Sequence, residues 1–240
     1  MLEKIDIENV LFLDIETVPA FAEYGEMNER MQKLWNKKSE RLTPLNNAAA
    51  EPPNPQSMYM RAGIYAEFGK IICISIGAFI KGELRIKSFS GHDEKELLTE
   101  FAGLLNKRYN RPEHLLCAHN GKEFDFPYIA RRMLVLGLKV PHILDLSGKK
   151  PWEVNHLDTM ELWKFGDYKN YTSLDLLAAI FDIPTPKDDI DGSQVADVYY
   201  KEKDLPRIVH YCTKDVLTVA QIFRCYRGEE LIDESAVVFV

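Results

Sequence analysis

The chain has 240 residues, 46% of them apolar and 28% charged, which is ordinary globular usage and excludes a disordered chain. A net charge of −7 disfavours a broad basic face for wrapping duplex nucleic acid. It leaves room for a small site gripping a strand end, because bound cations would locally invert the sign. The most apolar stretch, Ile71 to Ile80, is far shorter than the ~20 residues a membrane-spanning helix needs. The start, Met1-Leu2-Glu3-Lys4-Ile5-Asp6, has acids where a signal peptide has a basic then apolar run. A cytoplasmic location with no membrane partner is therefore expected. Cys73, Cys117, Cys212 and Cys225 form no CxxC pair, so neither a zinc site nor a disulfide framework is expected.

In chain order, Val10-Leu11-Phe12-Leu13 reads as a short buried strand ending in Asp14. Tyr24 to Leu42 is charged and helix-prone, and the Pro-rich stretch Thr43 to Ser57 reads as a loop. Lys70 to Ile80 is a second strand, joined by a tight Lys81-Gly82 turn to a third, Glu83 to Phe89. Asp93 to Arg108 is helical, with Leu97, Leu98, Phe101, Leu104 and Leu105 at helical spacing. His114 to Ala118 is a fourth strand, Phe126 to Leu136 a helix, and Val154 to Leu157 a fifth strand. Helices follow at about Ser173–Phe181, Ser193–Tyr200 and Leu205–Arg224, and Glu229 to Val240 reads as a tail. Alternating strands and helices after an early hairpin predict one mixed α/β sheet. Residues 1–228 form a single domain on this reading, with 21–69 an inserted helix and loop, either a lid over the strand end or a peripheral packing unit.

Asp14 and Glu16 leave the first strand on one face, because strand side chains alternate. Like charges so close raise each other's pKa unless a cation joins them, and oxygen donors suit Mg²⁺ or Mn²⁺. Alone, such a pair is more often a solvated strand end. A haloacid-dehalogenase-type nucleophile at Asp14 is a weaker reading: that pattern wants Asp rather than Glu at the +2 position and a late acidic pair, for which Asp188-Asp189 is a poor match. Asn120-Gly121-Lys122-Glu123-Phe124-Asp125 precedes a helix, so Asp125 is either a cap or a third carboxylate aimed at the same place. In the late helix, Ile208, Cys212, Val216, Val219 and Phe223 make the core stripe. Tyr211 and Asp215 lie one position before it, one turn apart at its edge. Asp158 reads as a helix cap or a supporting group, and His119 as structural.

As an ordered set, DxE after an apolar strand, the Asn-x-x-x-Phe-Asp segment and Tyr-x-x-x-Asp on a late helix resemble the DEDD superfamily of 3′–5′ exonucleases, in its tyrosine branch. The resemblance is to the proofreading domain of family B DNA polymerases and its free-standing relatives, over residues 8 to 226. Ser173-Leu174-Asp175-Leu176-Leu177 is similar to a segment that contacts single-stranded DNA there. Lys187-Asp188-Asp189-Ile190 is similar to a phosphate-touching lysine motif.

The resemblance implies a ribonuclease-H-like α/β fold with a five-stranded mixed sheet and helices on both faces. It implies two divalent cations, Mg²⁺ or Mn²⁺, clamping an in-line displacement at phosphorus. One would be held by Asp14, Glu16 and Asp215, the other by Asp14 and Asp125. Tyr211 would orient the water; a phenol with a pKa near ~10 is a poor base at neutral pH. Thr17, Asn120, Phe124, Ser173, Leu174 and Lys187 would hold the terminal nucleotides of a single strand, DNA favoured over RNA. His210 stands five before Asp215, as in the histidine branch, but residues i and i+5 diverge by about 140° on a continuous helix. A catalytically silent nucleic-acid-binding or polymerase-associated module is the alternative, and the four acids argue against it.

Overall fold

The continuous apolar run Val10 to Leu13 opens a strand, β1 (Val10–Pro19), that is covered on both faces. The computed structural model describes residues 2–42, 54–167, 169, 171–184 and 190–240. Strand β2 (Gly69–Ile80) pairs antiparallel with β1, and β3 (Glu83–Ser90) pairs antiparallel with β2. The Lys81-Gly82 turn has φ of 53° and 82°, the positive values a two-residue hairpin demands. β4 (Leu115–Ala118) lies parallel to β1 on its other side, and β5 (Leu157–Asp158) parallel to β4. A sixth strand, β6 (Val238–Phe239), completes the order β5-β4-β1-β2-β3-β6.

Six strands rather than five is a correction. β6 falls in the predicted tail, where it lies parallel to β3, and Val240 N–H donates to the Ile86 carbonyl at 2.9 Å. Two residues carry no readable period, so only pairing reveals such a strand. β5 begins at Leu157, three residues later than predicted, because a side chain replaces the ladder before it. Leu116 N–H donates to His156 Nδ1 at 3.2 Å, and His156 Nε2 donates to the Ile143 carbonyl at 2.7 Å. β1 also runs on past Asp14 to Pro19, so both carboxylates sit within the strand and not at its end.

Helix α1 (Glu29–Ser39) is shorter than predicted because Asn28 caps it, its side chain accepting from Met31 N–H at 2.9 Å. Trp35 of α1, Tyr59, Ala62 and Phe68 form a small core of their own. The predicted loop at Thr43 to Ser57 lies mostly outside the described residues. Leu11, Leu13 and Ile15 face α2 (Glu94–Arg108) and α3 (Asp125–Val135), packing on Leu98, Phe101, Phe126 and Ile129. Val10 and Phe12 point the other way.

After β5 come α4 (Thr159–Lys164) and α5 (Leu174–Ile180). The predicted helix over 193–200 is instead a short α6 (Val195–Asp197) continued by a π-helical turn, Val198–Glu202. The long α7 (Leu205–Tyr226) covers Val10 and Phe12 with Val216, Val219, Ala220 and Phe223. It sits close because Gly77 has no side chain: a Cβ there would lie 2.9 Å from Val216 Cγ1. Among the described residues no helix is long and apolar enough to cross a membrane.

Candidate active site

Beyond Phe12, the face of β1 that looks toward α7 carries Asp14 and Glu16. They oppose Ser75 and Cys73 of β2. The register then slips between Glu16 and Thr17, where β2 inserts Ile72. A bulge of this kind bends and twists the pair, and Thr17 beside it lines the same cavity as Glu16.

α7 meets the strand through its core stripe. The Cys212 thiol donates to the Asp14 carbonyl at 3.5 Å, fixing helix against strand. A chain of hydroxyls adds to this grip, Ser75 to Ser88 at 2.7 Å and Ser88 to Thr213 at 3.1 Å. With the stripe buried, Tyr211 and Asp215 emerge at its border and line the cavity. His210 is exposed and takes no part in that lining.

Asp125 is the first residue of α3 and is buried, with the backbone amides of Ile15 and of Asp125 itself favouring its charged form. The turn before it is tight. Asn120 has φ 61°, and a Cβ on Gly121 would lie 2.4 Å from the Ala118 Cβ. Asp158 braces the turn. Its carboxylate accepts from Asn120 and Lys122 N–H at 2.9 and 3.1 Å, and from Met160 and Glu161 N–H at 3.0 and 3.3 Å. It therefore caps α4 and supports the loop, and it does not line the cavity.

The cavity, about 520 Å³, is lined by Asp14, Glu16, Thr17, Phe124, Tyr211 and Asp215, among others. The four acids act on one another's protons. Burial, then the Asp215 charge, raises the pKa values of Asp14 and Glu16 well above the carboxylate range. Burial pushes Asp125 up to about 8, with Asp158 and Asp215 adding to the shift. Burial and the Asp215 charge also raise the Tyr211 phenol, which hydrogen-bonds to Asp215.

Asp14 Oδ2 and Asp125 Oδ1 are buried without a hydrogen-bond partner. Buried acceptors are almost always paired, so two orphans in one acidic cluster fit a divalent cation that takes oxygen donors. Ligand atoms of Asp14, Glu16 and Cys212 also lie within 4.8 Å of one another. Burial raises the Cys212 thiol, which stays protonated on the Asp14 carbonyl, so Cys212 serves packing while the carboxylates offer the donors.

Other sequence-predicted contacts lie elsewhere. The Ser173 hydroxyl oxygen caps α5, accepting from Leu176 N–H at 3.2 Å. Leu174 packs half-buried against the core, and neither residue lines the cavity. Asn120 stands behind Phe124 in the loop, outside the lining, with its Oδ1 buried and unpartnered. Lys187 lies outside the described residues. His119 bridges Thr159 Oγ1 and the Thr172 carbonyl, each at 2.9 Å.

The stretch 21–69, read from sequence as either a lid over the strand end or a peripheral unit, supplies one wall through a 3₁₀ segment, Tyr59–Ile64, whose individual residues the sequence did not single out. Met60, Arg61, Gly63 and Ile64 from it line the cavity. Gly63 presses on the Val18 backbone, where a Cβ would lie 3.0 Å from the Val18 carbonyl carbon, and its own carbonyl accepts from the Tyr128 hydroxyl at 2.6 Å. Arg61 is exposed, and within the cavity lining it is the one cation among the described residues. No local period marked it.

A mixed α/β sheet flanked by helices, with a cluster of oxygen donors against its central strand, defines a nuclease-type domain. A family model described as "Predicted 3'-5' exonuclease related to the exonuclease domain of PolB" matches residues 64–234, and the chain belongs to that family. The match begins after β1, so Asp14 and Glu16 lie outside it; the tertiary structure places them beside Asp125 and Asp215. Among solved structures, the chain is similar to the family B DNA polymerase from the hyperthermophilic archaeon Pyrobaculum calidifontis. The TM-score is 0.50 and the identity 14%, over 88% of this chain and 24% of that one. The chain thus spans about a quarter of that polymerase's length, and the likeness is one of fold.

Proposed function

We propose that this protein is a divalent-cation-dependent 3′–5′ exonuclease that removes 5′-mononucleotides from the 3′ end of single-stranded nucleic acid, DNA in preference to RNA. The observation that carries the reading is the pair of buried, unpartnered carboxylate oxygens on Asp14 and Asp125, in one cluster of interacting charges with Glu16 and Asp215. These four carboxylates would hold two ions, Mg²⁺ or Mn²⁺. When bound, the ions would lower the pKa of the attacking water and neutralise charge building on the phosphate.

The chain's own residues do the positioning. Tyr211 keeps its proton and orients the water from its place on Asp215. Phe124 offers a ring face to the terminal base, a contact that tolerates any sequence. Thr17 offers a hydroxyl to the terminal nucleotide, and Arg61 reaches a phosphate from the opposite wall. Lys187 is a further proposed phosphate contact. Ser173, Leu174 and Asn120, outside the cavity lining, are further proposed contacts along the strand's path.

The test is digestion of 5′-labelled single-stranded DNA, duplex DNA and RNA with Mg²⁺, Mn²⁺ or EDTA. Stepwise shortening from the 3′ end that stops in EDTA is expected. Binding without any shortening would make the chain a silent binding module, and cuts in a circular single strand would make it an endonuclease.

A further inference from the structure

A second groove, again about 520 Å³, opens where the loop before α3 meets α4. The loop that carries Phe124 to the acidic cavity carries Lys122 and Glu123 into this groove, so the two adjoin through three consecutive residues. Trp152, Glu161, Lys164 and Tyr171 line its other walls.

Aromatic rings stand here in solvent. Trp152 is 77% exposed, Tyr171 68% and Phe165, next to the groove, 92%. Phe165 also has φ 44°, a left-handed backbone conformation that suits glycine far better than a ring-bearing residue. The backbone conformation ends α4 as its C-cap, but the exposure of three large rings around one groove does nothing for the folded chain and points to contact with a ligand.

The lysines nearby are arranged around the rings. Lys150 Nζ sits 5.2 Å from the Trp152 centroid, and Lys164 Nζ 4.6 Å from that of Tyr171. Each ring thus has a cation over one face and stays largely open. Lys122 is the exception, paired with Glu161 at 2.8 Å. Ring faces interleaved with ammonium groups match a flexible strand that offers flat bases and phosphates in turn. Glu161 is taken up by Lys122 and Glu123 is the other acid of the lining, so Lys164 in the groove and Lys150 beside Trp152 are the cations placed to meet phosphates.

We propose that this groove binds the single-stranded segment 5′ to the reacting end, with Trp152 and Tyr171 stacking on bases, Lys150 and Lys164 meeting phosphates, and Phe165 covering the strand. The assignment of strand direction rests on the exonuclease reading; the groove's preference for a single strand does not.

The test is anisotropy of 5′-fluorescein oligonucleotides in EDTA, where nothing is cut. Fifteen-residue oligo(dT) and oligo(U) are compared with four-residue oligo(dT), for the wild type and for W152A/Y171A and F165G. The wild type should bind the long strands more tightly than the short one. The double variant should lose that length advantage, on the order of tenfold for each ring removed. An unchanged affinity of the double variant for the long strands would overturn the proposal and leave the patch to a protein partner. Parallel digests with Mg²⁺ or Mn²⁺ separate the two readings. Ring-dependent binding without hydrolysis would remove the exonuclease and keep the groove. Hydrolysis with an undiminished length advantage in the double variant would remove the groove and keep the exonuclease.

Discussion

The hydroxyl of Tyr211 hydrogen-bonds to the carboxylate of Asp215, one turn further along α7. Burial and the charges of Asp215, Glu16 and Asp14 raise the phenol's pKa, so Tyr211 is a donor at neutral pH and not a base. His210 is its neighbour in sequence but is exposed, away from the cavity. Tyr211→Phe keeps the ring and loses the group that aims the water, so activity should fall on the order of 100-fold with little change in stability. His210→Ala should stay near wild type. Rates of both variants across pH decide the matter; a dead His210 variant beside an active Tyr211 variant would transfer the role to the imidazole.

Replacing Asp14, Glu16, Asp125 or Asp215 by Asn or Gln should abolish hydrolysis while the fold persists. In EDTA the Asp14→Asn variant should melt above wild type at alkaline pH, because it removes a buried charge crowded by three others. Melting curves and digests on the same samples check both halves. Near wild-type turnover by the Asp14 variant would sink the mechanism.

Stability without metal should fall as pH rises. The Asp125 pKa moves from 3.8 to about 8, and Asp14 and Glu16 move in the same direction. The folded state therefore holds protons that the unfolded chain has released, a contribution complete below the unfolded value and lost as pH climbs through the folded one. Cations compete with those protons, so Mg²⁺ or Mn²⁺ should raise the melting temperature more at the top of that window than at its bottom. A metal-free melting temperature that climbs across the window would contradict the arrangement.

The cavity wall hangs on a buried ion pair. Arg132 holds Glu94 through two bonds, at 2.6 and 2.9 Å, and donates to the Ala66 carbonyl at 2.8 Å, while Glu94 accepts from Ile71 N–H at 2.8 Å. Arg132→Ala strands the Glu94 charge and should cost about 3–5 kcal/mol, measured by denaturant unfolding. Because the same network anchors the segment carrying Arg61, activity should weaken at temperatures where the fold survives.

Arg61→Ala should raise the Michaelis constant more than it lowers turnover, if the guanidinium makes a ground-state phosphate contact. The slope of log affinity against log salt should fall by about one contact. Arg61→Lys should restore part of the effect. Identical constants and salt slope for Arg61→Ala would leave the residue as solvated surface.

The acids and the tyrosine were legible in the sequence because local periods carry them. Alternation along β1 puts Asp14 and Glu16 on one face, and the apolar stripe of α7 leaves Tyr211 and Asp215 at its edge whatever the helix packs on. Asp125 was legible through the turn residues before it. These are properties of a few consecutive residues. What the tertiary structure decided depends on partners far apart in the chain. The Ile72 bulge needs β2 beside β1, β6 exists only against β3, and Arg61 reaches the cavity because Gly63 fits on Val18 beneath Tyr128. Ser173 shows both at once: its motif suggests a ligand contact, while in the folded chain its oxygen also accepts from Leu176 N–H and starts α5. A side chain's period says which way it faces, and only packing says what it meets there.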